Sequence, residues 1–306
     1  MPRSILPGLS ALLTLRHNKS LHMIFDADGL PLDERIDFGG LSDSSITYRL
    51  LRDVEAQAVR EADVVLTRSS AASRILLNRA GSGTICDKFK IVINGRDKEV
   101  FSPGNKESRA AVRNRLNILP DAPLVVYAGS VGSQYCMDDM FTFLRFLLSY
   151  RSDAHFLLLT GSSDSALASL EPFRDIKNSV TVHSVSAHDV PDYLGAADVG
   201  LALRSPSFSM QAVGPIKLGE YLLCGLPVIA TRGIGDTSIF VTEHVGFLLD
   251  NGCKIQLKKA ASWFVNEVLE IRNIFRDRCR TEGIKNISLD QAVKGYRYAL
   301  ESVIDA

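Results

Sequence analysis

Residues 214–231 read GPIKLGEYLLCGLPVIAT, an order that predicts a short helix, a turn and a buried strand. Pro215 suits the first turn of a helix, because its missing N–H would be unpaired there in any case. Gly225 is typical of the left-handed position that ends a helix. The apolar run 227–230 then predicts a buried strand. A loop rich in Ser and Pro, residues 204–213, precedes the helix.

Lys217, Glu220 and Tyr221 are three or four positions apart, so we expect them on one helical face. The helix start offers unpaired N–H groups and a partial positive charge, which suit a phosphate. Lys217 would add a full charge, and Glu220 could accept hydrogen bonds from a sugar diol. The pattern favours binding of a nucleotide diphosphate, whereas a surface Lys–Glu pair on an amphipathic helix is the alternative. The expected backbone contacts are Gly214, Pro215 and Ile216.

Length and composition set the class of protein. A chain of 306 residues predicts one large or two ordinary domains, and 46% hydrophobic with 23% charged residues is typical of a globular protein. The net charge of +0 argues against a nucleic-acid partner. Five scattered cysteines without close pairs indicate reduced thiols and no metal cluster, and no apolar run could span a bilayer. We expect a cytoplasmic protein, and peripheral contact with an inner membrane stays open.

The second half alternates strands and helices. Continuous apolar strands between helices predict a parallel sheet with helices on both faces. Ligands bind such sheets beyond the carboxyl ends of the strands, where Gly129, Ser130, Gly161 and Arg204 follow predicted strands. Arg204 would reach a phosphate or cap its loop. The predicted strands are 124–128, 156–160, 180–183, 199–203, 227–230 and 246–249; the predicted helices are 138–150, 165–173, 189–196 and 215–224.

The first half predicts a smaller unit of the same kind. A polar segment, 97–106, is the expected linker between two domains. We expect the domains to cover 1–103 and 104–285, with a final helix in 286–306 crossing back to the first domain. The predicted strands are 21–25, 64–67 and 89–93, and the predicted helices are 4–16, 46–61 and 70–80.

Several motifs in order resemble glycosyltransferase family 4, the retaining enzymes of the GT-B fold. The run PIKLGEY, with Glu220 followed by CGLPVIA, is similar to the donor-binding helix of that family. ADVVLT (62–67), NGRD (94–97) and FSP (101–103) resemble the segments that end its first domain. FDADGLPLDERIDFGG (25–40) resembles a block of some bacterial polysaccharide glycosyltransferases.

Three departures from the family pattern matter. The first Glu of the donor motif falls at Ala212, and the Arg of the FDxRG block is Asp28. The first domain has about 100 residues, whereas a complete nucleotide-binding domain needs about 150. We therefore expect two Rossmann-like domains facing a cleft, the first of them incomplete, with a partner chain that completes it as an open alternative.

The resemblance implies retaining transfer of a sugar from a nucleotide diphosphate sugar to an acceptor hydroxyl, in cell-surface polysaccharide or glycoconjugate synthesis. The donor is a substrate, no further cofactor or metal is implied, and the acceptor would be a sugar or lipid-linked sugar. Lys217 and Glu220 are the expected catalytic residues on the donor side, and Asp26 is the candidate acceptor-side base. Asp26 and Asp28 have the spacing of a metal-binding DxD, with a strand end as the alternative.

Two other functions stay open from the sequence. One is a nucleotide-sugar-binding subunit that is inactive without a partner chain. The other is a nucleotide-sugar 2-epimerase, which shares the fold but would need paired acidic and His residues that the sequence does not display.

Overall fold

Two parallel β-sheets face each other in the computed structural model, which describes residues 1–18 and 20–304. In the part of the chain thus covered, three strands form the first sheet and six form the second. All ladder pairs in both sheets are parallel. This arrangement confirms the expected α/β architecture of two sheets with helices between their strands.

Among the described residues, the first domain is built from three short strands, of which the first two are buried, and from four α-helices, two of them with a serine cap. Ser45 and Ser69 begin two of the helices, because their hydroxyls accept hydrogen bonds from the N–H groups of Tyr48 (3.2 Å) and Ala72 (3.1 Å). The sheet order is β1-β2-β3. Its elements are α1 (Ile5–His17), β1 (Ile24–Asp26), α2 (Pro31–Gly39), α3 (Ile46–Glu61), β2 (Val64–Thr67), α4 (Ser70–Ala80) and β3 (Phe89–Ile91).

The second domain has the strand order of a dinucleotide-binding fold. Its sheet runs β6-β5-β4-β7-β8-β9, so the order reverses between β4 and β7. Its elements are α5 (Lys106–Arg115), β4 (Leu124–Ala128), α6 (Met137–Tyr150), β5 (His155–Leu159), α7 (Ser163–Leu170), β6 (Val180–His183), α8 (Val190–Ala196), β7 (Val199–Ala202), α9 (Ile216–Leu223), β8 (Val228–Thr231), α10 (Thr237–Phe240), β9 (Gly246–Leu249), α11 (Lys254–Trp263), α12 (Arg272–Ile287) and α13 (Leu289–Ile304).

The last helix lies against the first domain. Ala299 and Val303 of α13 pack on Val64 and Leu66 of β2, in a buried apolar cluster shared with Val92. Lys98 of the connecting segment forms a salt bridge with Asp290 at the start of the same helix, at 2.7 Å. The second domain is therefore tied to the first both by the connecting segment and by the end of the described chain.

Helices α2 and α5 were not predicted, and neither was the single turn α10. Helix α2 follows β1 closely, and α5 starts at Lys106, where the predicted linker ends. Both of these helices are largely polar, so neither has a clear apolar stripe in the sequence. Among the helices described, none is long and apolar enough to cross a membrane.

Candidate functional site

A cleft of about 450 Å³ opens between the two sheets, at the carboxyl ends of β4 and β7. This is the point where the strand order of the second sheet reverses, the usual ligand position in such folds. The first domain contributes Asp28, Arg68 and Asn94 to its wall. Most of the residues that were predicted to contact the donor also line the cleft: Gly129, Ser130, Arg204, Gly214, Pro215, Ile216, Lys217 and Glu220.

The start of α9 opens onto this cleft. Pro215 is the N-cap and Ile216 the first helical residue, one position later than predicted. The N–H groups of the first turn have no carbonyl within the helix to bond, so they and the helix dipole favour an anion. Gly225 has a φ of +73°, the left-handed conformation expected where the helix ends. The helix thus directs its positive end into the cleft.

Lys217 lies in an aromatic setting. Its Nζ is 4.2 Å from the ring centroid of Tyr135 and 4.9 Å from that of Tyr127. Burial lowers the pKa of Lys217 to about 8; Arg204 acts in the same direction and Glu220 opposes both. A buried ammonium beside a second cation is poised to gain stability from a bound anion.

Glu220 also faces the cleft, but an arginine of the first domain already binds it. Arg96 donates from Nε to Glu220 Oε1 at 3.0 Å. Burial raises the pKa of Glu220, against the opposing effects of Arg96 and Lys217. Arg96 belongs to the NGRD motif, so this ion pair joins α9 to the end of the first domain.

Tyr221 packs against the sheet. The expectation that it shares one helical face with Lys217 and Glu220 is therefore wrong. The tyrosine is fully buried. Its hydroxyl accepts from the N–H of Ala128 (2.9 Å) and donates to the carbonyl of Leu201 (3.3 Å). The ladder between β4 and β7 pairs only Val125–Val126 with Val199–Gly200. The tyrosine therefore continues the connection between the strands where their own pairing stops.

Arg204 follows β7 and reaches across to the loop after β4. Its Nη2 donates to Gln134 Oε1 at 2.7 Å, and its guanidinium lies 5.1 Å from the ring centroid of Tyr135. The Nε is buried without a hydrogen-bond partner among the described atoms. A buried donor without a partner is unfavourable, so an acceptor near this guanidinium would stabilise it.

Asp26 is placed differently from the expectation of an acceptor-side base. It is 1% exposed and does not line the cleft. Both of its carboxylate oxygens lie 2.7 Å from Nη2 of the equally buried Arg68. An aspartate committed to such a pair cannot collect a proton from an acceptor in the cleft. Its role is to hold β1 and the end of β2 together.

Gly161 is also outside the cleft lining. It follows β5, which lies on the far side of β4 from the point where the strand order reverses. The sequence could place Gly161 at the carboxyl edge of the sheet but not choose among the strands along that edge.

Asp28, two residues after Asp26, does line the cleft. Arg3 donates to it from Nε at 2.9 Å, and its φ of +45° is unusual for a residue other than glycine. Tyr127 and Tyr135, which also line the cleft, were not predicted. The only signal for them is that they flank the turn at Gly129 and Ser130.

Metal ligands do not cluster in the described residues: no group of three or more His, Cys, Asp or Glu side chains is arranged to hold an ion there. The charged side chains that line the cleft are instead the cations Arg68, Arg204 and Lys217 and the carboxylates Asp28, Glu34 and Glu220.

Comparison with known proteins gives a family for the second domain. Residues 122–272 match the family described as Glycosyl transferases group 1. A D-inositol 3-phosphate glycosyltransferase of Xylanimonas cellulosilytica is 27% identical over 212 residues, which cover 66% of this chain and 48% of that protein. The chain thus spans about half the length of the curated relatives it matches.

Solved structures agree on the fold. Anabaena HepE, solved with UDP and glucose, aligns with a TM-score of 0.74 at 15% identity, over 99% of this chain and 76% of that one. WaaG, a glycosyltransferase involved in lipopolysaccharide biosynthesis, aligns with a TM-score of 0.70 at 17% identity, over 94% of this chain and 80% of that one. The fold is GT-B.

Proposed function

Because the chain carries in residues 122–272 a domain of the glycosyl transferases group 1, we propose that it transfers a sugar from a nucleotide diphosphate sugar to an acceptor hydroxyl, with retention at the anomeric carbon. The transfer would take place in the cleft between the two sheets. The donor would be bound by the second domain and the acceptor would enter from the first.

The observation that carries this proposal is the position of Lys217. Its ammonium stands in the cleft beside the positive end of α9, close to the Arg204 guanidinium. Departure of a nucleoside diphosphate leaves negative charge on its terminal phosphate. Preorganised cations and N–H groups stabilise such charge more in a partly buried site than in water. Lys217 would act on the leaving diphosphate, and Glu220 would accept a hydrogen bond from the ribose.

UDP is the first nucleotide to test, since HepE was solved with UDP and with UDP-glucose. The role of WaaG in lipopolysaccharide biosynthesis supports a sugar or lipid-linked sugar as the acceptor class. We infer that the protein acts at the cytoplasmic face of a membrane, in the synthesis of cell-surface polysaccharide or glycoconjugate. The donor is the substrate in this scheme, and the chain's own cations neutralise its phosphates.

Isothermal titration calorimetry with UDP and GDP tests the donor site. We expect the wild type to bind one of them and Lys217→Ala to weaken that affinity by about tenfold or more, since one charge-assisted contact contributes about 1.5–3 kcal/mol. Lys259→Ala is the matched control, because Lys259 is exposed on α11 outside the cleft. No binding of either nucleotide, or equal affinity in Lys217→Ala, would contradict the proposal.

Transfer and stereochemistry need a second assay. Radiolabelled UDP-sugar should give a labelled acceptor whose anomeric configuration, read by NMR, matches that of the donor. Nucleotide binding with no transfer to any acceptor would favour the alternative of a nucleotide-sugar-binding subunit. A product of inverted configuration would contradict the retaining mechanism.

A further inference from the structure

The ring of Tyr135 attracts two cations. Lys217 Nζ is 4.2 Å and the guanidinium carbon of Arg204 is 5.1 Å from its centroid. The two cations come from different elements, α9 and the segment after β7, and the ring comes from a third, the loop between β4 and α6. A cation–π contact attracts a charge without neutralising it, so both cations keep their charge for a ligand.

The backbone around Tyr135 fixes its ring. Its N–H donates to the carbonyl of Gly132 at 2.9 Å, and its neighbour Gln134 accepts from the N–H of Ser205 at 3.0 Å. Tyr135 and Arg204 also form an isolated antiparallel bridge. The Tyr127 ring packs edge-on against it, with centroids 6.0 Å apart. These contacts connect the loop after β4 to the segment after β7, and the ring of Tyr135 lies where the two meet.

Lys217 and Arg204 are both positively charged, so they repel each other. The groups that face Lys217 are Arg204, Glu220, Tyr127 and Tyr135, and the carboxylate among them is paired with Arg96. The aromatic faces therefore supply attraction that offsets the repulsion between the two cations. A nucleoside diphosphate, with a negative charge on each phosphate, would complete the arrangement.

We propose that Tyr135 is a positioning residue of the donor site, whose ring holds Lys217 and Arg204 together and keeps water from the ammonium so that both meet the two phosphates. This role rests on the proposed function. It assigns to Tyr135 a task that the sequence pattern did not predict. The phenol hydroxyl has no part in it, so the ring alone should suffice.

The test compares Tyr135→Leu with Tyr135→Phe by calorimetric titration of UDP. Removing the ring should weaken UDP binding by about tenfold, the equivalent of about 1.4 kcal/mol, because Lys217 and Arg204 would then have to be brought together as UDP binds. Tyr135→Phe should bind within about twofold of wild type, since its ring face also attracts a cation. Tyr135→Gln, ring-free and of comparable reach, replaces the Leu variant if thermal unfolding shows that variant to be unfolded.

A pH series separates positioning from general loss of structure. Without the ring the ammonium of Lys217 becomes hydrated and also loses one cation–π contact. Burial is the largest influence on the pKa of Lys217, so the pH above which UDP affinity declines should move upward from about 8. In the Lys217→Ala background the loss caused by Tyr135→Leu should shrink, because the ring acts partly through Lys217.

The outcomes distinguish this inference from the proposed function. Absence of UDP and GDP binding in the wild type would overturn the proposed function itself. If the wild type binds and Lys217→Ala weakens binding, but the ring-free variants keep wild-type affinity and pH profile, the role of Tyr135 is overturned while the donor site stands. A loss that is additive with Lys217→Ala and leaves the pH profile unmoved would also overturn it.

Discussion

The proposed contact between Lys217 and the diphosphate predicts that donor binding is sensitive to pH. The pKa of Lys217 in the free protein is about 8, and a bound diphosphate would raise that pKa, so binding takes up a proton above pH 8. UDP affinity should be full below this pH and fall above it, by at most about tenfold per pH unit. Calorimetry from about pH 7 to about pH 8.5 measures this effect, since the second phosphate pKa of about 6 leaves the diphosphate of UDP fully charged there and the range stops before the uracil ring loses its own proton.

Lys217→Arg provides the control, because an arginine stays charged throughout that range. Its UDP affinity should be level across the series even if the longer side chain weakens it. A wild-type affinity that does not change with pH would contradict the assignment of Lys217 to the diphosphate.

Gly129 makes room for the same lysine. A Cβ on Gly129 would lie 2.6 Å from Lys217 Nζ, and its φ of +147° disfavours any other residue. Gly129→Ala should displace the ammonium and weaken UDP binding by about tenfold. Gly132→Ala, in the same loop but with nothing within 4 Å, should bind UDP as the wild type does. Equal affinities of the two variants in calorimetry would show that Lys217 needs no such space.

At single residues, the sequence predicted the positions that depend on a local pattern. Lys217 and the start of α9 could be found because charge, spacing and helix start lie within one short stretch. Asp26 was misplaced because its partner, Arg68, is 42 residues away, and only the parallel pairing of β1 and β2 brings them together. Tyr135 was missed for the same reason, since its partners lie in two distant segments.

Among the elements, α9 depends on close packing against α12. A Cβ at Gly283 would lie 2.9 Å from the backbone of Leu222 and Leu223 in α9. Gly283→Ala should therefore lower the free energy of unfolding by roughly 2 kcal/mol, the usual cost of overpacking. Chemical denaturation measures the change.

Gly295→Ala is the matched control for this packing. Gly295 also lies inside a helix, α13, but a Cβ there would meet its nearest atom at 3.5 Å. Alanine is the better helix former by about 1 kcal/mol, so this variant should be as stable as the wild type or more so. If the Gly283 and Gly295 variants had equal free energies of unfolding, the close packing of α9 against α12 would not contribute to stability.

Strands were predicted better than helices because each is a short run of mostly apolar residues that the sequence shows directly. β2, β4, β6 and β9 have the bounds that their apolar runs indicated. Helices α2 and α5 lie against other elements with few apolar side chains, and α5 is held by polar contacts instead. Arg113, for example, donates to Asp198 Oδ2 at 2.8 Å from a buried position. Such polar contacts produce no apolar periodicity, so the sequence pattern does not predict these helices.

Over the whole molecule, the first domain holds the segment that precedes α9. Ser69 donates to the carbonyl of Gln211 at 2.7 Å, and Asp37 accepts from the N–H of Ser209 at 2.8 Å. Asp236 accepts from the N–H of Ser70 at 2.9 Å, at the start of α4. The sequence did not predict these contacts, because each joins a side chain to a backbone group more than 140 residues away. They connect the two domains close to the segment that precedes α9.

The central claim is that this cleft binds a nucleoside diphosphate through Lys217 and the start of α9. A crystal structure of the chain with UDP tests it most directly. We expect phosphate oxygens within about 3 Å of Lys217 Nζ and of the first N–H groups of α9, as charge-assisted hydrogen bonds require. UDP bound elsewhere, or in the cleft with its phosphates turned away from Lys217 and α9, would contradict this claim.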